Sequence, residues 1–288
     1  MLPTPRRLGK TFAAEIVGLD LRAGIDAALA EEIDQALAEN GVLCFRDQPL
    51  NDEQQGAFIA HFGPPFRTQV KEIASGARHN PYFYDITNVD EEGRQISDAS
   101  VRGQYLKANQ LWHTDGSQIQ PPIRVSALNA RQLPADPPDT HYADMKAAWD
   151  ALSEARQRQL EGLQAVHSML ASRAKMGMGS EAFSEESKKL RPPVTHPLVR
   201  HHARTGRKSL YLASHASHIL GWPEDEGAEL LAELTAFATQ PEFVYVHRWR
   251  PHDLVMWDDA ATMHRSTPYL SPQPRVMRWC GVSELEPV

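Results

Sequence analysis

The chain has 288 residues, 41% hydrophobic and 23% charged, which is enough apolar material for one large core or two small ones. Thirty basic against thirty-seven acidic residues give a formal charge of −7, which excludes the basic surface that non-specific nucleic-acid binding needs. Two cysteines inside apolar runs exclude a disulfide scaffold and fit a reducing cytoplasm, and no apolar run reaches the roughly 18 residues that cross a bilayer.

The N-terminal MLPTPRRLGKTF lacks the apolar stretch of a signal peptide, so a cytoplasmic protein is expected. A strand-like run over 12–21 is followed by a helical pattern, in which Ile25, Leu29, Ile33 and Leu37 recur every four residues and Gly41 supplies a C-cap. Residues 42–45 read as a buried strand. Asn51 or Asp52 caps a second helix that reaches Phe62 and ends at Gly63-Pro64-Pro65. Residues 66–110, apart from 82–86, are polar, with Lys71, Arg78, Arg94, Arg102 and Lys107, and are expected to form a mobile lid.

Beyond Leu111 the pattern is largely strands, at 124–133, 141–144, 165–168, 209–213, 243–247, 253–257 and 275–282. Helical segments are expected at 145–163 and 224–239. Many short strands, 21 prolines and few helices predict an antiparallel sandwich or barrel with helical insertions. No composition break divides the chain, so 1–288 reads as one domain.

Thirteen histidines stand out. His201, His202 and His252 sit in polar turns, and His167 and His247 end strands, where a structural role is commonest. His215 and His218, in SHASH, would share one helical face but lack a third ligand nearby. Trp112-His113-Thr114-Asp115 is more informative. On an extended chain, side chains at i and i+2 face the same way, so His113 and Asp115 can hold one cation; the same pair also serves as a hydrogen bond at a strand end. A further histidine would complete a 2-His-1-carboxylate facial triad, which leaves positions open on Fe(II) for a chelating cosubstrate and oxygen. His264, 149 positions after Asp115 and just beyond a strand, is the candidate. Arg275 begins the last strand, where a buried guanidinium can grip the distal carboxylate of a dicarboxylic acid.

NQLWHTD (109–115), PPDTHYADMKAAWDAL (137–152), HPLVRHHARTGRKSLYLASHASHI (196–219), ATQPEFVYVHRW (238–249) and HDLVMWDDAATMHR (252–265) resemble the taurine/2,4-D dioxygenases over nearly the whole chain. Within that family the likeness is greatest to the 2,4-dichlorophenoxyacetate (aryloxyalkanoate) dioxygenases. The resemblance implies a double-stranded β-helix, or jelly roll, that uses Fe(II), 2-oxoglutarate and O2. It implies His113, Asp115 and His264 as iron ligands and Thr140 and Arg275 as the residues that bind 2-oxoglutarate. It places Asn109 and Gly116 at the substrate. The reaction implied is hydroxylation of a small molecule coupled to release of succinate and CO2; hydroxylation beside an ether oxygen would release a phenol and glyoxylate.

Two departures bear on the substrate. Gly116 stands where many aryloxyalkanoate members have serine. Trp279 stands where the family has a second arginine for an anionic substrate group, with Arg278 one place early. A regular strand turns Trp279 inward with Arg275 and Arg278 outward, whereas a β-bulge would return Arg278 to the site. If Trp279 faces in, a cation for a substrate carboxylate would come from the lid, from Lys71, Arg102 or Lys107. The alternatives are the same chemistry on a sulfonate, a sulfate ester or a neutral natural product, a zinc hydrolase with the same three ligands, or a non-catalytic jelly-roll binding protein. A homo-oligomer is expected, and no nucleic-acid or membrane partner.

Overall fold

A computed structural model describes residues 1–67, 80–97, 100–178, 185–189, 191–269 and 271–285. Lys71 and Arg78 of the expected lid lie outside them. In chain order the elements are β1 (Arg6–Arg7), β2 (Ala14–Ile16), α1 (Ala27–Asn40), β3 (Val42–Phe45), α2 (Asp52–Ile59), β4 (Tyr84–Thr87), α3 (Val101–Ala108), β5 (Ile123–Gln132) and β6 (Thr140–Asp144). There follow α4 (Met145–Asp150), α5 (Glu154–Leu160), β7 (Gln164–His167), α6 (Met169–Ala174), α7 (Glu185–Lys189), β8 (Val194–Pro197), β9 (Val199–His201), β10 (Lys208–Leu210) and β11 (Ala216–Ile219). The chain closes with α8 (Glu224–Ala238), β12 (Val244–His247), β13 (Leu254–Asp258), β14 (Thr262–Ser266) and β15 (Val276–Ser283).

The strands form a jelly roll. A seven-stranded sheet, β1-β2-β3-β13-β5-β15-β4, faces a three-stranded sheet, β12-β6-β14, with smaller sheets β11-β7-β8 and β10-β9 beside them. Strict alternation along the strands divides the apolar residues between two layers. On the large sheet Leu43, Phe45, Val125, Met256, Cys280 and Val282 point out beneath α1 and α2, while Val42, Cys44, Leu128, Val255, Met277 and Trp279 point in. The inward set meets Tyr142 and Tyr245 of the small sheet. A third cluster, from α4, α8 and the β11-β7-β8 sheet, supports the small sheet from behind.

The caps at Gly41 and Asn51 lie where the sequence places them, and Asp26 is one that the sequence analysis did not single out. Asp26 accepts from Leu29 N at the start of α1, Gly41 ends that helix at φ +69°, and Asn51 with Gln54 makes a complete capping box on α2. Such caps each contribute about 1 kcal/mol. Several expectations need correction. The run 12–21 is strand only at Ala14–Ile16 and turns 3-10 at Leu21–Ala23, because β2 pairs only briefly with β3. The helix expected over 145–163 is two, since Ser153 caps α5 through Arg156 N. SHASH lies not on a helix but at strand β11, where pairing with β7 overrides the helical spacing of its histidines. In the lid region β4 is the edge strand of the large sheet and α3 a capped helix, so these parts are built into the fold. Among the described residues, no helix is long and apolar enough to cross a membrane.

Candidate active site

His113 lies outside the named strands, yet it forms an antiparallel bridge with His264: His113 N donates to His264 O at 3.0 Å and His264 N to His113 O at 2.8 Å. That bridge brings residues distant in sequence side by side, with ring centroids 4.1 Å apart. Thr114 fixes the intervening turn, its hydroxyl lying 3.0 Å from Leu212 O and 3.1 Å from Thr262 O. Asp115 then falls on the same side as His113. Its Oδ1 is 3.6 Å from His113 Nε2 and 3.8 Å from His264 Nε2.

The donor set suits a cation. His113 Nδ1 lies 2.7 Å from the Leu111 carbonyl, an acceptor only, so Nδ1 carries a proton and Nε2 is the ring nitrogen that faces the centre. Burial, with His113 second, holds the His264 imidazole well below its usual pKa and keeps it neutral, as a metal ligand must be. Burial raises the Asp115 carboxyl, opposed by His113, Ser126 and Trp279; Asp259 is raised well above the ordinary range by burial and by Asp115. An Asp115 carboxyl oxygen flanked by two imidazole nitrogens is a donor set that a divalent ion would satisfy. His113, Asp115 and His264 offer one ligand atom each, all within 4.8 Å of one another.

The triad opens into a cavity of about 580 Å³, a size typical of small-molecule sites. Arg275 lines it at 7% exposure, with Nε unbonded and no carboxylate of the described residues paired with it. Burial lowers its pKa to about 10, so it stays cationic at neutral pH. Thr140 also lines the cavity, and its Oγ1 accepts from Trp249 Nε1 at 2.9 Å, which leaves the hydroxyl proton free to donate inward. A buried guanidinium and a hydroxyl proton lining one cavity are chemistry suited to an anion.

The profile of the family described as "Taurine catabolism dioxygenase TauD, TfdA family" matches residues 4–280. The chain belongs to this family. It is 43% identical over 271 residues to an alpha-ketoglutarate-dependent 2,4-dichlorophenoxyacetate dioxygenase of Cupriavidus pinatubonensis, covering 90% of each chain. It is 36% identical to an (S)-phenoxypropionate/alpha-ketoglutarate-dioxygenase of Sphingobium herbicidovorans, over 94% of this chain and 91% of that one. The crystal structure of AAD-2 in complex with Mn(II) and N-oxalylglycine superposes with a TM-score of 0.94 at 38% identity, covering 100% of this chain and 99% of that one.

For this member of the family the structure brings together most of the residues that the sequence singled out. Asn109, Gly116, Thr140, Arg275 and Trp279 line the same cavity as the triad. Arg278 does not, which corrects its expected place at the substrate. It lies on the outer face of β15, at 2.6 Å from both Asp52 and Asp85, beneath α2. Of the two register shifts in the pairing of β15 with β5, the one next to these residues falls between Val276 and Met277, where β5 carries the extra residue, so the alternation along 275, 277 and 279 survives. Of the lid cations, Arg102 and Lys107 are not among the residues lining the cavity; Arg67, Arg173 and Arg191 are. Sequence reading missed Ser126 and Asp259, which bond to Asp115 and to each other; His215, set aside with His218 in SHASH, lines the cavity with its Nδ1 3.2 Å from Ser117 Oγ. WDD ending a strand was the available signal for Asp259.

Gly116 has a backbone reason to be glycine. Its φ is +67°, and a Cβ would lie 2.6 Å from Ile123 Cγ1 and 2.8 Å from Ile123 N. Left-handed strain of about 1–2 kcal/mol adds to an overpacking cost of about 1–3 kcal/mol. Gly116→Ser is therefore expected to lower the melting temperature by several degrees. Unchanged thermal unfolding would show that the turn can relax.

Proposed function

We propose that the chain is an Fe(II)- and 2-oxoglutarate-dependent dioxygenase that hydroxylates a small aryloxyalkanoate-like acid. The observation that carries this reading is one cavity holding both an open His/Asp/His triad and an unpaired buried guanidinium. His113, Asp115 and His264 would hold Fe(II), while Arg275 and Thr140 would take the far carboxylate of 2-oxoglutarate. The iron centre, with 2-oxoglutarate and O2, supplies the oxidising power to place a hydroxyl on an unactivated carbon. The protein's part is to keep metal positions open, orient the substrate carbon and exclude water.

The walls favour an aromatic substrate. Trp279 lies edge-on to Phe66, with centroids 6.1 Å apart, and Tyr84, Ile86 and Leu128 complete an apolar side. Substrate hydroxylated at the carbon beside the ether oxygen becomes a hemiacetal, which collapses to a phenol and, from an aryloxyacetate, glyoxylate. Residues 1–288 form one catalytic domain in this reading, and Phe66, Arg67, Tyr84, Ile86, Ala108 and Asn109 of the expected lid region form part of its cavity wall. Cytoplasmic residence and a homo-oligomer belong to the same proposal, to be checked by cell fractionation and light scattering.

The test is oxygen uptake and succinate release by the iron-loaded protein with phenoxyacetate, 2-phenoxypropionate, a neutral aryl ether, an alkyl sulfonate and an alkyl sulfate ester. Phenol release from the phenoxy acids, dependent on 2-oxoglutarate, is expected. A response confined to the sulfur compounds would move the substrate class. Hydrolysis by the zinc-loaded protein without oxygen would replace the reaction altogether.

A further inference from the structure

The two oxygens of Asp115 have different surroundings. Oδ1 faces the histidine Nε2 atoms, whereas Oδ2 accepts from Trp279 Nε1 at 3.0 Å and lies 3.0 Å from Ser126 Oγ. The serine has a single proton, and Asp259 Oδ2 lies nearer to it, at 2.7 Å. The indole N–H is the donor that Asp115 need not share. We infer that Trp279 is a positioning residue for the metal: its N–H holds Oδ2 and presents Oδ1 alone to the ion. The inference rests on the reading of the triad as a metal site.

A carboxylate free to rotate can bind an ion through both oxygens and occupy a position that a cosubstrate or oxygen needs; a donor on Oδ2 blocks that mode. An indole offers one donor and no acceptor, and at 8% exposure it requires the partner it has found. The ring is also held in place. Phe66 packs edge-on against it, and Gly281, two residues along the same face of β15, leaves the space the ring fills, since a Cβ there would sit 2.9 Å from Trp279 Cζ2.

The substitution of tryptophan for the family's second arginine therefore has two consequences at once. An arginine at this place would bring a charge and several further donors into the cavity. Tryptophan supplies one N–H to Asp115 and otherwise presents a neutral aromatic wall. The metal-orienting contact is separated from any grip on the substrate's anion, which must come from another cation of the cavity.

Co(II) binding to the metal-free protein, measured by calorimetry and visible absorption without cosubstrate, tests this. The variants are Trp279→Phe, which keeps a ring but loses the N–H, and replacement of Trp279 by benzothienylalanine, which removes the N–H at constant shape. Both are expected to weaken Co(II) binding about 10- to 100-fold and to change the intensity of the Co(II) bands as the carboxylate rotates. Trp279→Arg, which restores a donor, is expected to recover most of the affinity. Wild-type affinity and an unchanged spectrum in the benzothienyl protein would overturn the role and leave the indole as packing alone. Absence of Co(II) binding by the wild-type protein would instead refute the triad as a metal site, and the positioning role with it.

Discussion

His113→Ala, Asp115→Ala and His264→Ala are each expected to reduce 2-oxoglutarate-dependent oxygen uptake to background while leaving a folded protein. The loss of turnover is distinct from general unfolding. The bridge between residues 113 and 264 is made by main-chain atoms, which alanine retains, and Thr114 still ties the turn to Leu212 and Thr262. Asp115→Ala also removes one of two adjacent carboxyl groups, easing the unfavourable coupling between them and offsetting part of the loss of its hydrogen bonds to Ser126 and Trp279. Circular dichroism and thermal unfolding check the fold, and an oxygen electrode checks turnover. The wild-type protein is expected to gain thermal stability from a divalent ion that binds only the folded state, and that gain should vanish in all three variants. Wild-type turnover in any two of them would remove these residues from the metal centre.

What was legible in the sequence divides along a physical line. Features set by nearby residues were readable: the four-residue apolar recurrence and Gly41 of α1, a helix cap at Asn51 or Asp52, and the alternation that turns Trp279 inward and Arg278 outward. His113 and Asp115 share a motif, so their common orientation was also local. His264 and Arg275 were singled out by position, but their convergence depends on a bridge and a strand order that no local pattern contains. The same limit hid Ser126 and Asp259, whose significance exists only where β5 and the end of β13 meet Asp115. SHASH misled because the spacing of its histidines fits a helix, while pairing of β11 with β7 decides the matter. Ser153, the cap that splits 145–163, was a readable signal that the apolar periodicity overshadowed.

Arg275→Ala is expected to raise the 2-oxoglutarate requirement by roughly 30-fold to several thousand-fold, the equivalent of about 2–5 kcal/mol for losing one partner of a buried, hydrogen-bonded charge pair. Metal affinity should hardly change, because the residue lies outside the triad and is not bonded to it. Without cosubstrate the guanidinium is buried and unpaired with any described carboxylate, a cost to the folded state. The variant should thus be as stable as wild type, or more so, when no cosubstrate is present. The order should reverse when 2-oxoglutarate is added, since only the wild-type protein gains the stabilisation of tight binding. Arg275→Lys should recover only part of the affinity, because an ammonium keeps the charge without the two-pronged geometry. Thermal shift against 2-oxoglutarate concentration, with Mn(II) to prevent turnover, measures all of this in one series. Equal stabilisation of wild type and Arg275→Ala would place the dicarboxylate elsewhere in the cavity. Arg278, held by Asp52 and Asp85 on the far face of β15, would still be no substitute, so Arg67, Arg173 and Arg191 would be the next to replace.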